Sequence, residues 1–327
     1  MTGTALILGI TGSVGQATAW ALKQHGWHLR ALHRDPDSVK PTLSGLGDVD
    51  WRRGDAMSAA DITAAADGCD LLLHAVNPPG YRNWRGLALP MLRNSIAAAK
   101  ASSATIMLPG NVYNFGPDAW PVVKEDAPQH PISRKGQVRV EMEALLEEAA
   151  REGCRSILLR AGDFFGPGAG SSWFDNALVK PGRRLRSVTY PGRYDAGHCW
   201  AYLPDLAETF ARLADRRDEL PAFARFHFGG HYLAPGVEIA DAIRRVAGEP
   251  QASLKAFPWW MIRALGPFNE LFRELVEMRY LWDNSLKLDN SELVAFLGEE
   301  PHTPLHQALE QSLAALNCLP ERSQTAA

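Results

Sequence analysis

Through the first half of the chain, short apolar runs alternate with stretches of helical spacing. Ala5-Leu6-Ile7-Leu8-Gly9, Trp27 to Leu32, Val49 to Arg52, Leu71 to Val76, Ala104 to Leu108 and Ser156 to Arg160 read as six strands. The fourth is ended by Pro78-Pro79. Between them, Val14 to Gln24 (closed by Gly26), Ala59 to Ala66, Leu87 to Lys100 and Val138 to Glu152 carry apolar residues at helical intervals. Runs that do not alternate with polar residues predict strands buried on both faces, as in a parallel sheet. Strand and helix in alternation predict an α/β fold, a Rossmann-type doubly wound parallel sheet.

After Gly166-Pro167-Gly168 the pattern loosens, and Gly, Pro, Trp and Arg dominate to about Trp200. Ala224 to Phe228 predicts one more strand for the main sheet. Val237 to Val246, Trp259 to Leu281 and Leu305 to Leu316 predict a smaller, mostly helical C-terminal lobe. The expected division is a dinucleotide-binding domain over 1–165, with 195–230 returning to it, and a substrate lobe from 166–194 and 231–327. A cleft between the two is the expected ligand site. Glu321 to Ala327 reads as a disordered tail, and no internal repeat is present.

Charge and cysteine usage narrow the function classes. The 34 basic and 37 acidic residues leave a net charge of −3, which gives no electrostatic footprint for nucleic acid or a membrane surface. Cys69, Cys154, Cys199 and Cys318 lie far apart without a CxxC pair, against a disulfide framework or a metal site and in keeping with a reducing compartment. Phe257 to Trp282 is broken by Arg263, Glu270, Arg273, Glu274, Glu277 and Arg279, so it reads as amphipathic helix rather than a membrane span. With no secretory pattern at Met1-Thr2-Gly3, the expected location is the cytoplasm.

The sharpest chemical signal is Gly9-Ile10-Thr11-Gly12-Ser13-Val14-Gly15, set between the first strand and the first helix. Glycines there allow a tight turn and close approach of backbone N–H groups to a pyrophosphate, which then lies at the positive end of the helix. The second strand ends in His33-Arg34-Asp35-Pro36. A guanidinium at Arg34 suits a 2′-phosphate, and Asp35, one place late and before a proline, suits a turn. The expected cofactor is NADP rather than NAD.

With the later blocks added, the chain resembles the short-chain dehydrogenase/reductase superfamily in its extended, sugar-epimerase-like branch. Thr11-Gly12-x-x-Gly15 resembles that branch's TGxxGxxG. Gly54-Asp55 is similar to the segment whose Asp reaches the adenine, and His74-Ala75-Val76, followed by Asn77, to the fourth-strand segment along the cofactor. Asn111 to Pro117 resembles SxxVYGP, Leu159 to Gly168 resembles LRPxxVYGPG with Gly162 at the cofactor, and Ala201 to Ala207 resembles YVDDLA. The resemblance implies the fold over nearly the whole chain.

It also implies a Tyr-x-x-x-Lys pair on the fifth helix with an upstream Ser or Thr, and here the chain departs. Pro131 to Arg139 contains no such pair. One register sets Lys135 and Arg139 in the two places, another Ser133 and Gln137. Asn111 stands in the upstream Ser place, with Tyr113 two residues on. The candidates for chemistry are therefore Tyr113 as proton donor, Asn111 as hydrogen-bond partner of the substrate oxygen, Lys135 as acid or electrostatic stabiliser, and Arg139 as a ribose holder. His198-Cys199-Trp200 and Trp173-Phe174 suit either a pocket wall or plain packing, Asp163 suits either substrate contact or a turn before Phe164, and Asp205 reads as the cap of the helix Leu206 to Leu213.

Three functions fit this pattern. The leading one is an NADP(H)-dependent oxidoreductase for a small carbonyl or hydroxyl compound, working as monomer or homodimer. A sugar-nucleotide epimerase or dehydratase is the second, and a non-enzymatic NADP(H)-sensing binding protein is the third.

Overall fold

The computed structural model describes residues 3–78, 83–170 and 172–319. Pro79 and the terminal Glu321–Ala327 lie outside the described residues. In chain order the strands are β1 (Thr4–Leu8), β2 (His28–His33), β3 (Val49–Arg53), β4 (Leu71–His74), β5 (Thr105–Gly110), β6 (Val122–Val123), β7 (Ser156–Arg160), β8 (Asp163–Phe165), β9 (Ser187–Tyr190), β10 (His198–Tyr202), β11 (Phe223–His227), β12 (His231–Leu233), β13 (Ser253–Ala256) and β14 (Lys287–Leu288). The helices are α1 (Ser13–Gln24), α2 (Pro36–Val39), α3 (Ala59–Ala66), α4 (Trp84–Ser102), α5 (Arg134–Arg151), α6 (Leu203–Asp215), α7 (Glu238–Val246), α8 (Trp259–Leu265), α9 (Glu270–Met278), α10 (Tyr280–Asp283), α11 (Ser291–Leu297) and α12 (Leu305–Ala315).

Seven strands form one sheet in the order β11-β7-β5-β4-β1-β2-β3, and all its pairings are parallel. The unbroken apolar runs explain the layering. Ala5 and Ile7 of β1 face one core with α1 and α6, whereas Leu6 and Leu8 face a second with α3, α4 and α5. Strands β1, β4, β5 and β7 thus bury both faces under helices, whereas β3 at the sheet edge leaves Asp50, Arg52 and Arg53 exposed. Strand order reverses between β1 and β4, which opens a crevice at the carboxyl ends of these two strands.

The second half divides more finely than its pattern predicts. β11 extends the main sheet beside β7 and α6 packs on α1, whereas β10 pairs with β8 and β12 in a separate small sheet. The lobe is built around Phe174, Tyr190, Trp200, Ile239 and Leu309, with α7 and α12 packed together. It is less purely helical than expected, because β13 pairs with β9 and β14 with β6. Asp205 lies in the first turn of α6, after the cap residue Tyr202, and accepts from the backbone N–H (2.6 Å) and hydroxyl (2.7 Å) of Thr303. The cap expectation is corrected: this carboxylate ties α6 to the segment leading into α12.

Candidate active site

A cleft of about 770 Å³ runs from the β1–α1 turn, past the carboxyl ends of β4, β5 and β7, to the wall formed by α8, α9 and α10. Its inner end is mainly backbone. Gly9 has φ +88, the left-handed region that favours glycine, and Gly12 N–H closes the turn on Gly9 O at 2.9 Å. At Gly15 a Cβ atom would stand 2.1 Å from Gly9 O, so only hydrogen fits between helix and turn. The α1 cap residue is Gly12, which offers no side-chain acceptor to the first-turn N–H groups. That leaves the positive helix end for an outside anion.

Of the residues named for the dinucleotide, Gly12, Ser13, Val14, Ala75, Val76, Asn77 and Gly162 line this cleft. Ser13 Oγ donates to Ala169 O at 2.6 Å and so ties the turn to the loop after β8. Gly9, Thr11 and Gly15 form the remainder of the turn. His33, Arg34 and Asp55 stand beyond the cleft lining, at the ends of β2 and β3. Arg34 is exposed, and its carbonyl accepts from the Arg53 guanidinium at 3.2 Å. Asp55 Oδ1 accepts from Met57 N–H, which fixes the turn after β3.

His74, at the end of β4 in the segment expected along the cofactor, also lines the cleft. Its Nδ1 meets Ser95 Oγ at 2.8 Å, and Ser95 passes its own proton to Met91 O. The ring is therefore the Nδ1–H tautomer, and its buried Nε2 acceptor has no hydrogen-bond partner among the described residues. Burial, reinforced by Arg139, pushes its pKa down to about 3, so the ring stays neutral.

The helix α5 divides the two candidates of the first register. Ser133 caps it by accepting from Gly136 N–H, and Gln137 is exposed. Arg139 lines the cleft, donates to Pro109 O (3.1 Å) and Asn77 Oδ1 (3.3 Å), and lies over the Trp84 ring at 5.1 Å. Lys135, one turn earlier, does not line the cleft. It is 2 % exposed and pairs with Glu274 of α9 at 3.1 Å. Burial lowers its pKa against the opposing pull of Glu274.

Asn111 and Tyr113, just beyond β5, both line the cleft. Asn111 Oδ1 accepts from Tyr113 N–H at 3.0 Å, which leaves its amide NH₂ as the donor group. The Tyr113 side chain packs against the small cluster of Val112, Phe115 and Leu286.

Across from them, β8 and β10 pair in parallel with Asp163 opposite Trp200. His198 lies two residues before Trp200, on the same strand face, and its Nε2 meets Asp163 Oδ2 at 2.8 Å. Gly162 permits this closeness, since a Cβ there would stand 2.4 Å from Cys199 O. The imidazole lies flat on Trp282 of α10, centroids 3.9 Å apart and planes 10° apart. Asp163, His198, Cys199 and Trp173 belong to the cleft wall, whereas Phe174 and Trp200 are core.

Behind the site, Arg160 at the end of β7 is fully buried and forks onto Glu143 of α5 at 3.0 and 2.5 Å. It also donates to Glu125 O (3.2 Å) and to His227 Nε2 (2.9 Å), while His227 Nδ1 donates to Val123 O (3.2 Å). Burial, with Arg160 adding to it, holds the His227 pKa at about 3.

Residues 9–135 match a protein-family model described as NAD(P)H-binding. This part of the chain is an NAD(P)-binding Rossmann-like domain. No curated protein matches the sequence. Among solved structures, the fold resembles UDP-glucuronic acid 4-epimerase from Bacillus cereus, solved with UDP-glucuronic acid and NAD (TM-score 0.74, 16% identity, 96% of this chain and 99% of that one). It also resembles a nucleoside-diphosphate-sugar epimerase from Pseudomonas aeruginosa (TM-score 0.73, 18% identity, 97% and 98% covered). A UDP-N-acetylglucosamine 4-epimerase from Bacillus cereus is similar at TM-score 0.73 and 15% identity, with 96% and 99% covered. At these identities the likeness is one of fold.

The inner cleft suits a dinucleotide on its own geometry. The glycine turn has room only for hydrogen at Gly15, α1 presents an uncapped end, and the orphaned His74 Nε2 offers an acceptor to a ligand hydroxyl or amide.

Proposed function

We propose that the protein is an NADP(H)-dependent oxidoreductase acting on a small carbonyl or hydroxyl compound. The observation that carries this reading is the uncapped α1 turn opening directly into a cleft walled by Tyr113, Asn111, Arg139 and the Asp163–His198 pair. The backbone of Gly12 to Val14 would hold the pyrophosphate, and Arg34 the 2′-phosphate. Arg139, fixed by Pro109 and Asn77, would hold the nicotinamide ribose in the place where the resembled family has a lysine. When bound, the nicotinamide gives or takes a hydride. The chain supplies the rest: Asn111 and Tyr113, just beyond β5, line the cleft with an amide and a phenol, the donor types a substrate oxygen needs. Lys135 is left out of this set, because Glu274 holds it away from the cleft.

The solved structures favour a second reading, a sugar-nucleotide epimerase or dehydratase, since those similar in fold are named as such epimerases.

Nucleotide titration tests the cofactor assignment. NADPH should bind more tightly than NADH by about 10- to 100-fold, the worth of charge-assisted hydrogen bonds to one phosphate. Arg34→Ala should remove most of that preference. Absence of NADPH binding by calorimetry defeats the reading.

A further inference from the structure

The outer half of the cleft differs sharply in chemistry from the inner half. Trp173, Phe257, Phe272, Leu275, Leu281 and Leu286 form its wall. Among the described lining residues Arg139 is the only lysine or arginine, and it is bonded to Pro109 and Asn77 on the dinucleotide side. Among the described residues no lysine or arginine of this wall would face the two negative charges of a nucleoside diphosphate, and burying such charge unpaired is strongly unfavourable. An uncharged apolar molecule meets no such penalty.

Polar side chains interrupt the apolar wall: Ser172 and Asn176 flank Trp173, and Asp163 and His198 form a bonded pair. His198 is 7 % exposed, held by Asp163 through Nε2 and pressed flat on Trp282. Its Nδ1 makes no hydrogen bond with any described residue and belongs to a side chain that lines the cleft. A carboxylate behind one ring nitrogen fixes the tautomer, leaving the other nitrogen to exchange a proton.

We infer that this outer half binds an uncharged, apolar ketone or aldehyde, or the matching alcohol, with its oxygen on His198 Nδ1, and that Asp163–His198 carries the proton of the reaction. The inference rests on the oxidoreductase reading above and deepens it. In the reducing direction the carbonyl carbon receives the hydride of the reduced nicotinamide dinucleotide, and the carbonyl π pair moves to oxygen. That oxygen takes the Nδ1 proton of the imidazolium, and the neutral imidazole regains a proton from water. In this account the Asn111 amide and Tyr113 orient the substrate oxygen, and they are positioning residues rather than proton carriers.

Tyr190 and Cys199 are the ionisable groups that feel the Asp163 charge. Burial, with Asp163 adding to it, holds the Tyr190 pKa well above the ordinary value. Cys199, on the same strand as His198, is pushed by burial up to about 12, with Lys287 and Glu300 exerting smaller opposing effects on it. Leu233 of β12 and Trp282 of α10 do not titrate.

The test uses the full chain. With NADP⁺ bound, acetophenone should give a calorimetric binding signal with a negative heat-capacity change, and UDP-glucose none. Binding of UDP-glucose without acetophenone would overturn the assignment. His198→Gln should cut turnover of acetophenone with NADPH by about 100-fold or more, in line with loss of a general acid. The same variant should flatten the fall of turnover as pH rises through the imidazole range, with NADPH affinity within about twofold of the parent. Undiminished turnover in His198→Gln, with loss in Tyr113→Phe, would transfer the proton to the tyrosine and overturn the inference. Failure of the parent to bind NADPH would instead remove the underlying reading, so the two failures are separable.

Discussion

The two ends of the cleft are made in different ways. The dinucleotide end comes from two neighbouring strand-to-helix turns, after β1 and β4, and its working groups are backbone N–H donors placed where glycine leaves room. The substrate end is assembled from side chains of four separated segments, around 111–113, 162–177, 198–199 and 257–286. A parallel sheet fixes the first to the geometry of its own hydrogen bonds, whatever the side chains. The second has only packing to define it, so its chemistry is as variable as the residues that happen to face inward. The likeness in fold to sugar-nucleotide epimerases is accordingly one of architecture, and the side chains of the outer half are this chain's own.

The joint between the ends is the place to break this picture most severely. Arg160, Glu143 and His227 lock β7, α5 and β11 to the 123–125 segment, in a region shared by both ends. Arg160→Met strands a buried carboxylate, which costs about 3–5 kcal/mol. Thermal unfolding followed by tryptophan fluorescence and by loss of NADPH binding should shift down together. The double variant Arg160→Met/Glu143→Met should recover most of the loss, since an apolar pair of similar volume replaces a buried ion pair at little cost. Recovery confined to one of the two signals would mean that the ends are stabilised separately.

A smaller change should separate the ends cleanly. Gly15→Ala puts a methyl group 2.1 Å from Gly9 O, and the turn must open to admit it. NADPH affinity should fall about 100-fold, equivalent to about 2.7 kcal/mol. Binding of an apolar ketone to the cofactor-free chain should change by less than about twofold if the outer wall is independent of the turn. A comparable loss of ketone binding would show that the two ends are one cooperative unit.

What was legible in the sequence follows the same division. The glycine turn could be read because its requirement is local: three glycines, a strand before and a helix after. Six strands and their helices were readable because apolar strand runs alternate with helical spacing, most continuously in the inner strands β1, β4 and β5, and boundaries shifted by only a few residues, as where α4 begins at Trp84 rather than Leu87. Lys135 and Arg139 were visibly one helical turn apart, but their fates depend on Glu274, 139 residues beyond Lys135, and on Asn77. Spacing along α5 carries no trace of either. Asp163 and His198 are 35 residues apart, and the register of two short strands, not any motif, brings them together. The small sheets of the lobe were unreadable for a related reason: a two-residue strand such as Lys287-Leu288 has no period of its own and exists through its pairing with Val122-Val123.

Asp205 offers the finest test of how the ends are coupled. Sequence spacing suggested a helix cap whose loss would fray α6, whereas its oxygens in fact hold the backbone and hydroxyl of Thr303, just ahead of α12. Asp205→Ala removes both acceptors and leaves a partly buried N–H unpaired, at a cost of about 1–2 kcal/mol. A lost cap would raise hydrogen exchange across the first turn of α6, which packs on α1 beneath the dinucleotide turn. A lost tether would instead raise exchange over 300–316 and leave the α6 amides and NADPH affinity as they were, because α12 packs on α7 in the C-terminal lobe. The geometry predicts the second outcome, and faster exchange in α6 alone would restore the capping role.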